Sequence, residues 1–142
     1  MREALLLADE AAGAGEIPVG CVIVREGRIV GRGRNRREED RSALAHAEVL
    51  AIREACEALG DWRLSDCGLY VTLEPCPMCA GAILNARLKW VCYGVRDERT
   101  GSCGSVLNLF EENYGYRPAL YGGILEEECL RRMQAFFRRL RQ

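Results

Sequence analysis

The chain has one histidine, His46, and downstream of it a Pro75-Cys76-Pro77-Met78-Cys79 run; no other feature restricts the fold as tightly. Pro75 suits a first helical turn, where a missing N–H costs nothing, so Cys76 and Cys79 are expected at a helix N-terminus. Residues three apart on a helix share a face, with Cβ atoms about 5–6 Å apart, and the helix dipole favours thiolate over thiol. Two thiolates leave a tetrahedral ion such as zinc incomplete, and His46 is the only imidazole available as a third protein ligand. A closed structural site would take a fourth Cys or His, whereas three protein ligands keep a vertex for water, as in catalytic sites. Redox dithiols share the C-x-x-C spacing, so the pair alone leaves that alternative open.

Glu48 lies two residues beyond His46, a spacing that in mid-helix would aim the two side chains to nearly opposite sides. The "HAE" triplet is therefore expected at a helix entrance, with Glu48 beside the open vertex and not on the metal. Two thiolates and a neutral imidazole cancel the charge of Zn²⁺, so water there loses a proton less readily than on a tri-histidine site. A base must help, and Glu48 can take that proton, return it to a ring nitrogen and then to a departing amine. The reaction class that fits is hydrolytic deamination. Taken together the residues match H-x-E…P-C-x-x-C, a far more specific pattern than either half.

The remaining sequence reads as one domain, residues 1–142, with enough apolar residues (49%) for a core. "REALLLADEAA" predicts a helix, and "PVGCVIVREGRIVGRGR" two strands turning at Glu26-Gly27. "HAEVLAIREACEAL" predicts a helix with an apolar stripe of Val49, Ile52, Cys56 and Leu59, stopping at Gly60. "GLYVTL", "KWVCYGV" and a short stretch around "ALYGGI" predict strands; "CPMCAGAILNA", "SVLNLF" and "EEECLRRMQAFFRRLR" predict helices. About two dozen residues separate the last two strands, the length of a parallel crossover and not of a hairpin. The order implies a mixed sheet covered by helices.

The formal charge is −1, so no global basic field points to nucleic acid, and any RNA contact must be local. "MREALLLADE" lacks the basic and long apolar regions of a signal peptide, and no apolar run reaches bilayer length; the expectation is a cytoplasmic protein with no membrane contact. In that compartment Cys pairs are more often metal-binding or catalytic than bridged. Cys21, Cys56, Cys67, Cys92, Cys103 and Cys129 are read as packing residues, with Cys103 set apart by its loop-like "TGSCGS" context. Leu130, Met133, Phe137 and Leu140 form an apolar stripe on the last helix, whose arginines Arg131, Arg132, Arg138, Arg139 and Arg141 suit either a solvated face or phosphate contacts.

With both metal motifs placed, the sequence resembles the bacterial tRNA-specific adenosine deaminases of the TadA type, in the cytidine deaminase-like superfamily. The likeness runs nearly end to end, through "EIPVGCVIV", "GRNR", "AHAEVLAI", "WRLSDCGLYVTLEPCPMCAGAI", "YGVRDERTGSCGSVLN", "GILEEEC" and "FFRRLR". The resemblance implies a three-layer α/β/α fold around a five-stranded mixed sheet with its last two strands parallel. It implies one Zn²⁺ per subunit on His46, Cys76 and Cys79, Glu48 as proton shuttle, and no organic cofactor. Asn35 matches a base-contacting asparagine, the backbone at Ala47 a group that holds the flipped base, and Asp97 a position near the nucleotide sugar. Phe136, Phe137, Arg138 and Arg141 match C-terminal anticodon-loop contacts. The implied reaction is adenosine to inosine at the wobble position of an arginine tRNA, performed by a homodimer on an anticodon stem-loop with splayed bases.

Two other readings compete. A deaminase of a free nucleobase or nucleoside, such as guanine or cytosine, would use the same zinc chemistry. Free cytidine deaminases usually ligate zinc through three cysteines and pair their last strands as a hairpin, against His46 and the long crossover here. A binding module with purely structural zinc would have no use for a spare carboxylate at Glu48.

Overall fold

The computed structural model describes residues 1–142, and its elements run α1 (Arg2–Gly13), β1 (Gly20–Arg25), β2 (Arg28–Arg34), α2 (Ala47–Leu59), β3 (Gly68–Leu73), α3 (Pro77–Ala86), β4 (Trp90–Val95), β5 (Ala119–Tyr121) and α4 (Glu126–Leu140). The sheet order is β2-β1-β3-β4-β5. β1 is antiparallel to β2 and β3, while β3, β4 and β5 are parallel. The hairpin turns at Glu26 (φ 50°) and Gly27 (φ 75°), the left-handed pair that matches strand twist. The expected mixed sheet and its parallel final pair are both present.

The main core lies where α2 and α3 cover the sheet, built from Cys21, Ile23, Leu69, Val71 and Val91 against Ala51, Ala55, Ala80 and Ile83. A smaller cluster of Leu5, Val95 and Cys129 holds α1 and α4 on the other face. Helix α2 sits almost on the backbone of β2: a Cβ at Gly31 would lie 2.3 Å from the Ala51 carbonyl oxygen, and one at Gly33 2.2 Å from that of Ala47. Two glycines on the strand and alanines on the helix thus bring the N-terminus of α2 down to the sheet.

That close approach corrects the expected stripe on α2. The deeply buried face is Ala47, Glu48, Ala51 and Ala55; Val49, Ile52, Cys56 and Leu59 are only half-buried or packed at the margin. Helix α3 begins one step later than expected. Cys76 is its N-cap and Pro77 its first residue, so Pro75 lies in the preceding connection.

The helix expected over "SVLNLF" is not formed; the crossover holds a single 3₁₀ turn, Leu109–Glu111. The Asn108 side chain caps Phe110 N–H, and Cys103 bridges Asn108, so the chain is folded tightly up to residue 108 and leaves room for one turn.

On α4 the expected apolar stripe faces outward except at Met133, which packs against the Leu5–Val95–Cys129 cluster. Leu130, Phe137 and Leu140 are exposed, while Cys129 and Phe136 are the buried residues. The rotation follows from Gly94 on β4, where a Cβ would lie 2.2 Å from Cys129 Sγ, and from Arg132, which pairs with Asp9 of α1 at 2.8 Å.

Candidate metal centre

Two helix entrances converge at one end of the sheet. His46 is the N-cap of α2, extended at φ −83°, ψ 150°, and Cys76 is the N-cap of α3, extended at φ −76°, ψ 175°. Both therefore project beyond their helices, and Cys79 follows on the first turn of α3. His46 Nδ1 lies 3.6 Å from Cys76 Sγ and 3.5 Å from Cys79 Sγ. A tetrahedral zinc with ordinary Zn–N and Zn–S bonds requires N···S edges of about 3.5 Å. All three ligand atoms lie within 4.8 Å of one another, so the donors present fit one such ion and leave a vertex free. All eight cysteines are free, which excludes a Cys76–Cys79 bridge in this structure.

The electrostatics favour a thiolate at Cys76. The Cys76 thiol is pulled down to about 4, first by the hydrogen bond with Cys79 and then by His46, against the opposing effect of burial. Cys79 moves in the opposite direction, because its neighbour holds the negative charge and because it is buried. His46 is raised above its ordinary value by its hydrogen bond with Cys76.

Glu48 occupies the first turn of α2 and is 4% exposed. Burial pushes its carboxyl up to about 7, opposed by hydrogen bonds from its own backbone N–H and from Cys79. It lines a cavity of about 160 Å³ together with His46, Ala47, Cys76, Asn35 and Asp97. The helix-entrance geometry expected for "HAE" is what this arrangement requires.

The family model of MafB19-like deaminases matches residues 1–141. The tRNA-specific adenosine deaminase of Bacillus subtilis (strain 168) is 48% identical over the whole of this chain and 89% of its own length. The chain belongs to this deaminase family. A solved structure from work on A-to-I editing by tRNA:A34 deaminases superposes with a TM-score of 0.90 at 42% identity, covering 93% of this chain and 96% of that one. Bacillus subtilis guanine deaminase, at 38% identity and 96% and 90% coverage, reaches a TM-score of 0.66.

Within this deaminase the residues expected at the nucleobase and those expected at the anticodon loop occupy different places. Asn35, Ala47 and Asp97 line the cavity, whereas Phe137, Arg138 and Arg141 line an exposed groove on α4 with Leu130, Met133 and Gln134. Phe136 does not reach that groove; it is 6% exposed and meets Phe137 edge-on at 5.5 Å, so its ring supports Phe137 from beneath. Asn35 is fixed at both ends of its side chain, donating to the Ile17 carbonyl and accepting from Arg37 N–H at 3.1 Å. The Asp97 carboxylate accepts from Arg99 N–H, Thr100 N–H and the Thr100 hydroxyl, which shapes its own turn.

Sequence reasoning missed the cavity-lining Ile17, Val19, Arg37, Leu73, Glu74 and Thr100. It also missed Glu16, buried at 2% exposure and accepting Glu38 N–H at 2.8 Å, which holds the segment after Asn35. The available signal was a carboxylate embedded in an apolar run, at "GEIPVG" and at "VTLEPC".

Proposed function

We propose that the protein converts adenosine to inosine at the wobble position of an arginine-tRNA anticodon loop. The observation that carries this reading is the His46–Cys76–Cys79 cluster of fitting dimensions with the buried Glu48 carboxyl beside it. On those three side chains, one Zn²⁺ per subunit would supply Lewis acidity toward water. Glu48 accepts the first proton of the attacking water and delivers it to the purine ring nitrogen, then takes the second proton from the oxygen newly bonded to carbon and passes it to the departing amine. A C–O bond forms at the carbon whose C–N bond breaks, and ammonia leaves. A carboxyl raised to about 7 suits both directions of that transfer near neutral pH.

Asn35 and the backbone at Ala47 orient the flipped base, and Asp97 stands near its sugar. Phe137, Arg138 and Arg141 serve the anticodon loop from outside the cavity, with Phe136 as their support. The higher similarity to the tRNA:A34 deaminase structure than to the guanine deaminase supports the macromolecular substrate. Exposed Leu44, Trp62, Val106, Leu107 and Tyr114 support a homodimer by offering apolar surface to a second copy. The whole chain is read as one domain acting in the cytoplasm; no helix is long and apolar enough to cross a membrane.

The test is to incubate purified protein with an arginine-tRNA anticodon stem-loop and, separately, with adenosine, guanine and cytidine, measuring inosine, base turnover and metal content. Inosine in the stem-loop with about one zinc per chain is expected. Guanine turnover exceeding stem-loop editing would replace this reading with that of a free-base deaminase.

A further inference from the structure

Glu74 follows the last residue of β3, two positions before Cys76, and is 2% exposed. Its partners all come from one loop, residues 97–105. One carboxylate oxygen accepts Asp97 N–H at 3.1 Å and the Ser105 hydroxyl; the other accepts Cys103 N–H at 3.0 Å and Ser105 N–H at 3.1 Å. A carboxylate offers about four acceptor positions, so these donors use its whole capacity. No acceptor position remains to hold a substrate, although the side chain borders the cavity.

The loop is shaped to reach it. Gly101 N–H bonds the Asp97 carbonyl at 2.8 Å, and Ser102 N–H bonds the Pro75 carbonyl at 2.8 Å. A Cβ at Gly101 would lie 2.4 Å from Glu74 Cδ and 2.4 Å from the Asp97 carbonyl oxygen, so only a glycine lets the backbone pass over the carboxylate. Bonds donated to an ionised acceptor are about twice as strong as neutral ones, and several from one loop act together.

We infer that Glu74 is a positioning residue, whose buried carboxylate clamps the 97–105 loop so that Asp97 and Thr100 form a fixed wall of the nucleotide cavity. The same strand end thereby sets two things at once: Cys76 at the metal and, through Glu74, the wall that receives the target nucleotide. The assignment of that wall to a nucleotide rests on the proposed function; the clamp itself does not.

Glu74→Gln keeps the shape but turns an acceptor into a donor facing backbone N–H groups. Its folded, metal-loaded form is expected to raise KM for the stem-loop about tenfold while kcat changes less than about threefold, with metal content unaltered. Trypsin cleavage after Arg96 and Arg99 is expected to accelerate about tenfold, since the loop opens locally. Ser105→Ala, which removes one hydroxyl donor and leaves the fold intact, should move KM and cleavage in the same direction by about threefold; it stands in if Glu74→Gln does not fold. Unchanged cleavage overturns the clamp, as does a fall in kcat at constant KM or a loss of metal, since each would place Glu74 in another role. If the parent forms no inosine, the functional reading has failed, and the cleavage rates alone decide the clamp.

Discussion

At the entrances of α2 and α3 each reactive group is fixed by a buried neighbour, whereas α4 presents Phe137, Arg138 and Arg141 on an exposed face. Burial is what raises Glu48, while the hydrogen bond between Cys76 and Cys79 is what sets those two thiols apart. No such leverage exists on α4, where screening by water and salt leaves each arginine a modest and separable contribution. In the proposed function, chemistry therefore depends on a few interlocked side chains, and grip on RNA on several independent ones.

The largest effect that would break this contrast is expected at Glu48. Glu48→Gln should retain fold and metal while lowering kcat by on the order of 10²–10⁴, measured as inosine formed in the stem-loop under single-turnover conditions. Editing at the parental rate would remove the proposed shuttle.

Burial of the same carboxyl also predicts a pH effect on stability. Glu48 moves from 4.5 to about 7 on folding, so between those values the folded chain binds more protons than the unfolded one. Stability attributable to this group falls as pH rises through that window, by up to about 3 kcal/mol. Urea unfolding of chelator-stripped parent and Glu48→Gln at pH 5 and pH 8 should show the variant gaining relative to the parent at the higher pH. A difference that ignores pH would refute the burial argument.

On α4, the Arg138→Ala/Arg141→Ala pair is expected to weaken stem-loop binding about tenfold and to lower the slope of log affinity against log salt by about 1.4, with metal content unchanged. Filter binding across a salt series measures both. An unchanged slope would mean that neither arginine meets phosphate. The smallest effect is expected for Leu140→Ala: at 65% exposure, truncation should change unfolding stability by less than about 0.5 kcal/mol, as a thermal melt would show.

Much of the metal cluster was legible because its restrictions are local. A proline before the first cysteine, a three-residue interval and the only imidazole each limit where a helix starts and what a metal can find. The parallel last pair was legible from crossover length alone. The faces of α2 and α4 were not, since hydrophobicity ranks large side chains and passes over alanine, while Gly31, Gly33 and Gly94 decide which face approaches closest. Glu16 and Glu74 were hidden for a related reason: apart from the Ser105 hydroxyl their partners are backbone N–H groups, and every residue except proline has one. The absent helix before Leu109 shows the same limit, because the bonds to Glu74 that hold its start come from far along the chain.

The sequence by itself determined the donor set, the order of helices and strands outside the crossover before Leu109, and the need for two helix entrances to meet, because residue type and short spacing fix those. Tertiary structure alone decided which helix faces are buried, how Phe136 differs from Phe137, and how one carboxylate gathers a remote loop. These depend on how closely backbones approach, and that distance is set only once the sheet and its helices are packed.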